Sequence, residues 1–352
     1  MFSGVKTEQD FKMAFFKTMH LLKAKATLKD YLDLNRRYFK ITDTVIFEDD
    51  KVQFDIVPKH FLKSVISELF EYAFTTCDEL RSNCDLANIS PCLVIDEKTI
   101  IKGINYELGG NIKNMDEAKK AVLDERLNRF NELIDSRFDD DTLVSILDKF
   151  ENRDDKDIQT LVTDNADVPT IFEYILGVIW YKVSERKGDI LKFMNLSLEA
   201  DLLPKTHAGG GEADIVYEYT ACDDYPEHSM LLEATLADST NQRRMEMESV
   251  SRHLGKYIFK TDNSNSYCVF AATHLDKNVV ADFRGRKIIG WYDDNDNNVP
   301  LKIIPLQTTE LKQIIINKLK YKKLYNIFEM AYQSSELSPS WYKNNIIISV
   351  GN

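Results

Sequence analysis

Two short runs of β-type sequence each set one carboxylate among apolar neighbours: Asp214 in ADIVYEY and Glu233 in SMLLEATLA. An acidic group inside a hydrophobic strand is costly unless something offsets its charge. For two or three converging carboxylates the simplest offset is a hard divalent cation, which takes oxygen ligands. Alternation puts Asp214, Val216 and Glu218 on one side of the first run, and Leu231, Glu233 and Thr235 on one side of the second. If the two strands pair, Asp214 and Glu233 lie side by side at a strand end and chelate one cation. The plainer alternative is a pair of edge-strand charges facing water. The reaction class such a metal site suggests is phosphodiester hydrolysis.

A helix over 241–260 follows directly. Its apolar stripe runs through Met247, Val250, Leu254 and Tyr257/Ile258, beside a polar seam of Gln242, Glu246, Ser249 and His253 at spacings of 4, 3 and 4. Glu246 sits about a turn into this helix, within reach of the same cation or of the attacking water. Ser249 and His253 read as solvated helix face, and His253 has no second histidine at ligand spacing. The helix carries Arg243, Arg244, Arg252, Lys256 and Lys260 against Glu246 and Glu248, a net charge of +3. Arg243, Arg244 and Lys256 are candidates for phosphate contacts. A second basic cluster holds five lysines between Lys312 and Lys323. The loop HAGGGEAD, with Gly209, Gly210 and Gly211, precedes the first acidic strand. It is not a P-loop, since no GK[ST] follows and the next element is a strand. Glycine here lets backbone approach a phosphate or make a tight turn, with His207 and Glu212 as candidate substrate contacts. Neither a GxSxG elbow nor a dinucleotide fingerprint occurs.

These side chains need a scaffold, and the pattern around them supplies one. Helical periodicity covers 7–25, alternation on both sides of Asp49-Asp50 reads as a hairpin, and a helix starts near Pro58. His20 and His60 sit singly on helical faces and read as packing residues. The pattern is helical again from 115 to about 150. Charge-rich 151–159 is the expected boundary between a mainly helical linker or accessory domain, 1–150, and a second domain, 151–352. There, Asp167 and Pro169 mark the start of a wide-faced apolar helix. After the acidic strands and the polar-seamed helix come YCVFAATHL and KIIGWYDD as strand candidates, and NVPLKIIPL as an edge strand with prolines at both ends. One helix over 309–333 and a short tail, NIIISV, close the chain. Interleaved strands and helices make this half an α/β domain with a mixed sheet.

Composition narrows the class. The chain has 352 residues, 43% hydrophobic and 29% charged, as in a soluble globular protein of two or three domains. No apolar run reaches the roughly 18 residues of a membrane helix, and the N-terminus lacks a signal-peptide core; a cytoplasmic protein without membrane partners is expected. Five cysteines (77, 84, 92, 222 and 268) without a CxxC pair argue against a disulfide framework or a zinc site. A net charge of −12 is unusual for a nucleic-acid reader. An acidic total with basic islands fits a domain that binds DNA weakly alone and is brought to it by something else.

The stretch GGGEADIVYEY followed by MLLEATLADSTNQRRMEMESVSRHL resembles the cleavage domain of AlwI-type restriction endonucleases. These are type IIS enzymes, related to the nicking endonuclease BstNBI, of the PD-(D/E)XK nuclease superfamily. The resemblance implies a restriction-endonuclease-like fold and a Mg2+ site, with Mn2+ as substitute. It implies Asp214, Glu233, Glu246 and Glu173 as catalytic residues, with Asp214, Glu233 and Glu173 as metal ligands. The superfamily lysine two residues after the second acid is Thr235 here, which leaves Glu246 as its functional substitute. Glu173 also fits a capping box with Thr170. The expected partner is double-stranded DNA, joined by a second nuclease subunit or a separate recognition subunit, because the sequence-reading half of such enzymes is longer than residues 1–150. The alternative is a catalytically inactive DNA- or protein-binding module on a nuclease-like fold. A structural subunit that only bridges partners is a third reading.

Overall fold

Thr7 starts the first ordered element. A computed structural model describes residues 4–41, 44–48, 51–72, 94, 96–199, 201–206 and 213–351. The Asp49-Asp50 turn, Cys77, Cys84, Cys92 and the loop bearing His207, Gly209, Gly210, Gly211 and Glu212 lie outside the described residues. Helix α1 (Glu8–Leu21) is closed at its start by a capping box, in which the Asp10 amide donates to Thr7 Oγ1 at 3.1 Å and the Thr7 amide to Asp10 at 3.0 Å. Helix α2 (Ala24–Ile41) leads into the expected hairpin, β1 (Val45–Glu48) antiparallel to β2 (Lys51–Phe54). Helix α3 (Ile56–Tyr72) begins just ahead of Pro58. Helix α4 (Glu97–Leu108) stops at Gly109, whose φ of 65° favours glycine. Ile100, Ile104 and Ala118 form a small core with Ile56, Val57 and Phe61. His60 is held by Glu107 at 3.0 Å.

Packing divides the chain into two compact units, Met1–Glu125 and Arg126–Asn352. The division lies ahead of the charge-rich stretch at 151–159. Its cause is hydrophobic: Phe130, Ile134, Phe138, Leu143, Ile146, Leu147 and Phe150 are all buried in the core of the larger unit. The helix expected over 115–150 is two helices, α5 (Met115–Arg137) and α6 (Asp140–Asn152). Asp139 breaks it by capping the second, accepting from the Thr142 amide at 2.8 Å. Helix α7 (Asp155–Leu161) then takes up most of the charged stretch.

Helix α8 (Val168–Val183) is buried on nearly every side, as its apolar circumference requires. Helix α9 (Ile190–Phe193) and the small ladder β3 (Ser197–Leu198) with β4 (Pro204–Thr206) follow. The central sheet comes next: β5 (Ile215–Tyr219), β6 (His228–Thr235), helix α10 (Ser239–Thr261), β7 (Tyr267–Ala272). Helix α11 (Lys277–Ile289), the two-residue strands β8 (Trp291–Tyr292) and β9 (Asn298–Val299), and β10 (Ile303–Gln307) complete it. The order is β10-β7-β6-β5, with β10, β7 and β6 parallel and β5 antiparallel to β6. This is the mixed sheet of an α/β domain. Strand β7 is buried throughout, as a parallel interior strand must be. Pro305 sits on the outermost strand, where its missing N–H costs no ladder bond.

Two elements differ from their sequence pattern. In KIIGWYDD, residues 287–289 finish α11, and only Trp291–Tyr292 is strand, because Gly290 at φ 74° ends the helix. The region 309–333 forms α12 (Thr308–Ile316) and α13 (Tyr321–Gln333). Lys318 in the left-handed region (φ 50°) reverses the chain between them, and the Leu319 amide bonds back to the Ile314 carbonyl at 2.9 Å. The final residues are helical: α14 (Ser340–Tyr342), a π-turn (Lys343–Ile347) and α15 (Ile348–Gly351), with Trp341, Ile346 and Val350 buried. Among the described residues no helix is long and apolar enough to cross a membrane.

Candidate active site

The register of β5 and β6 decides whether the two acids meet. Ile215 pairs with Leu232 and Val216 with Leu231. One step further in the same register sets Asp214 opposite Glu233, where cross-strand Cβ atoms are roughly 4.5–5.5 Å apart. The Ala234 amide donates to Asp214 Oδ2 at 2.8 Å, which fixes that carboxylate beside the β6 backbone. Asn195 holds the approach from the other side: its amide donates to the Asp214 carbonyl at 3.0 Å and its side chain to the Ala213 carbonyl at 2.7 Å. Gly177 on α8 lets this edge come close. A Cβ there would meet Met194 Sδ at 2.8 Å and Ile215 Cδ1 at 3.2 Å.

Glu173 arrives from α8, which packs on β6. Asp167, not Thr170, caps that helix, accepting from the Thr170 amide at 3.0 Å. Glu173 therefore has no capping duty. It is buried, and its Oε2 has no hydrogen-bond partner among the described residues. Glu246 comes from α10, whose first turn is capped by Asp238. Thr235, standing at the lysine position, donates through Oγ1 to Glu246 Oε1 at 2.8 Å and ties that carboxylate to the end of β6.

The charges of these four groups act on one another. Burial, and then the Asp214 carboxylate, push Glu173 up to about 9. Burial and the adjacent Glu233 charge raise Asp214 well above the ordinary range, against the pull of the Ala234 amide. Glu233 is raised by burial and by Glu246, and Glu246 by burial, with Thr235 and Ser249 opposing. Four carboxylates thus share one low-dielectric region and disfavour each other's ionisation. Among the described residues, no group of three or more His, Cys, Asp or Glu side chains is arranged to hold a metal ion as it stands. Asp214 Oδ2, Glu233 Oε1 and Glu246 Oε1 each have a protein hydrogen-bond partner.

His253 is where the structure departs most from the sequence reading. It is not a solvated face residue. Its side chain is 12% exposed, and Nδ1 lies 2.8 Å from Glu233 Oε1. The polar seam of α10 was its only signal. Thr235 stood out only as the residue at the lysine position, and Asn195 gave no signal, because it works through a residue distant in sequence. Seam residue Gln242 is structural: fully buried, it donates to the Ala237 carbonyl at 3.0 Å and accepts from the Asp276 amide at 3.1 Å. Ser249 bonds the Met245 carbonyl at 2.6 Å.

Of the three phosphate-contact candidates, Arg243 is paired with Asp276 at 3.4 Å, Arg244 is exposed, and Lys256 lines a groove beside the carboxylates. The lysine cluster at 312–323 is largely neutralised: Lys312 by Asp148 and Glu151, Lys320 by Glu185, and Lys322 by Asp224. Cys268 is buried and Cys222 exposed, and the two form no disulfide with each other.

A family model described as AlwI restriction endonuclease matches residues 5–314, so the match takes in the N-terminal helices as well as the sheet. No curated protein matches the chain. Among solved structures, the small subunit of the heterodimeric restriction endonuclease R.BspD6I is similar at 21% identity, over 57% of this chain and 96% of that one, with a TM-score of 0.41.

Proposed function

Because the chain belongs to the AlwI restriction endonuclease family, with a nuclease role on DNA as the premise, we propose that it is a Mg2+-dependent DNA endonuclease of the PD-(D/E)XK type. One observation carries this reading: the register of β5 and β6 and the packing of α8 and α10 gather Glu173, Asp214, Glu233 and Glu246 at one buried strand end, with Glu173 Oε2 lacking a hydrogen-bond partner among the described residues. A hard dication is the partner that would offset such a set, and oxygen-only donors suit Mg2+ or Mn2+. Asp214, Glu233 and Glu173 would hold it. When bound, the ion supplies a polarised phosphate oxygen and a water of lowered pKa.

The remaining work falls to the chain. Glu246, tied by Thr235, would orient the attacking water and take its proton. Asn195 fixes the backbone that carries Asp214, and His253 fixes the rotamer of Glu233. One such site cuts one strand, so a double-strand break takes a second copy or a partner nuclease subunit. Arg244 and Lys256 are exposed to meet phosphates.

Supercoiled plasmid incubated with the purified protein and Mg2+ provides the test. Wild type converts it to nicked circles, and Asp214→Asn does not, while retaining the wild-type far-UV spectrum. Calorimetric titration should show Mn2+ binding that Asp214→Asn loses. Equal nicking by the two proteins removes the assignment. Absence of both nicking and cation binding leaves the inactive DNA- or protein-binding module.

A further inference from the structure

A groove of about 500 Å3 opens beside the carboxylates. Its inner end is formed by His253, which bonds Glu233, and by Ala213, the neighbour of Asp214. From there it follows α10. Lys256 and Lys260 lie three and seven residues beyond His253, on the same helix face. Tyr257 stands between them, held upright by its hydroxyl donating to Ser229 Oγ at 2.9 Å. Glu218 of β5 lines the opposite wall.

Lys256 and Lys260 are exposed, and neither makes an ion pair with another described residue. Two other cations of α10 are taken, Arg243 by Asp276 and Arg252 by Glu248, while Arg244 is exposed near the helix start and outside the groove. Like charges at i and i+4 repel on a helix, and no described acid relieves this pair. Two cations about 6 Å apart along a helix axis suit a row of anions better than a single ion. The row starts at the carboxylates, where the scissile phosphate belongs.

We propose that this groove seats one DNA strand on one side of the scissile phosphate, with Lys256 and Lys260 each contacting a successive phosphate of that strand. The identity of the ligand rests on the nuclease reading; the charge layout stands independently. Glu218 keeps the backbone to the helix side of the groove. A space of this size holds a few atoms' width of chain, so the second strand of a duplex lies outside it. Both lysines act on binding and register, not on the reacting atoms.

The test is the salt dependence of DNA affinity, measured by fluorescence anisotropy on a mixed-sequence duplex with the full chain and Ca2+ in place of Mg2+. Each phosphate contact contributes about 0.9 to the slope of log K against log salt. Lys256→Gln and Lys260→Gln should each lower the slope by about that amount, and the double variant by about 1.8. Lys256→Arg/Lys260→Arg should restore it. Lys343→Gln, an exposed lysine outside the groove, should leave it unchanged. An unaltered slope in the double glutamine variant overturns the proposal, as does an equal drop in Lys343→Gln. Plasmid nicking run in parallel separates the two ideas. Nicking with an unaltered slope removes the groove and keeps the nuclease; a lowered slope without nicking removes the nuclease and keeps the groove.

Discussion

Strand β6 begins and ends on polar residues inside the domain, and its two ends are treated in opposite ways. At the start, His228 Nδ1 meets the Pro226 carbonyl at 2.7 Å, and its Nε2 meets the Tyr321 hydroxyl. Tyr321 bonds Tyr267 at 2.9 Å and stacks on Tyr219 with ring centroids 3.7 Å apart. Trp180 donates to the Tyr219 hydroxyl at 3.1 Å, and Lys302 Nζ sits 4.0 Å above the Tyr267 ring. Donors and acceptors are matched, and aromatic area adds dispersion and π contacts. At the other end, Glu233 is crowded by Asp214, Glu246 and Glu173, all acids. One end holds the fold together. The other stores repulsion that a ligand can relieve, the usual trade of stability for function.

The sharpest way to break this contrast is Glu233→Gln. It should take nicking to background while stability holds or rises by about 1 kcal/mol, because one of four crowded buried acids is replaced by a neutral group of the same shape; urea unfolding beside the plasmid assay reads both. A large loss of stability would mean that Glu233 is a structural group. Next is His253→Ala, which removes the group holding Glu233. Loss of an orienting partner of this kind costs roughly 10–100-fold in activity or metal affinity. His253→Asn, whose amide can stand in for Nδ1, should recover part of it, and single-turnover kinetics with a Mn2+ titration would show whether it does.

Tyr321→Phe probes the opposite end. It keeps the ring and deletes the hydroxyl shared by His228 and Tyr267. The expected cost is about 1–3 kcal/mol in urea unfolding, with nicking retained. Lost nicking at full stability would show that the two ends are coupled.

The smallest effect is in pH, and it has opposite signs at the two ends. Glu173 is held at about 9 in the folded protein against an ordinary 4.5, so the unfolded chain gives up that proton first as pH rises. The stability it contributes is complete below about 4.5 and is lost as pH climbs toward 9. Burial holds His228 below its ordinary 6.5, so the unfolded chain takes up that proton first, and stability is lost as pH falls below 6.5. The Glu173 contribution should therefore lower the melting temperature of the metal-free protein as pH rises from about 4.5 toward 9, His228 opposes it only below 6.5, and Glu173→Gln should flatten the alkaline side. An unchanged alkaline side in that variant would mean that the crowding of acids contributes little.

Much of this site was legible beforehand because it is written in local patterns. Asp214 and Glu233 stand out as charges at period-2 positions among apolar residues, and alternation already put them on matching sides. Glu246 follows from helical spacing. Glu173 was ambiguous, since TIFE reads equally as a capping box, until Asp167 took the cap and left the carboxylate free. His253 was misread because a seam beside an apolar stripe looks the same whether it faces solvent or a strand end. The lysines at 312–323 looked like a binding surface, yet Asp148, Glu151, Glu185 and Asp224 reach them from elsewhere in the chain.

By itself, then, the sequence determined which stretches become strands and helices and which of them bear unusual charge, since periodicity, capping and burial cost act over a few residues. Tertiary structure alone decided the partners. It set Asp214 across from Glu233 by register, brought Asn195 and His253 to hold them, tied Glu246 to Thr235, and left Lys256 and Lys260 without an acid among the described residues while pairing Lys312, Lys320 and Lys322. Electrostatics and hydrogen bonding depend on distance in space, and distance in space is fixed only when the chain has closed around its core.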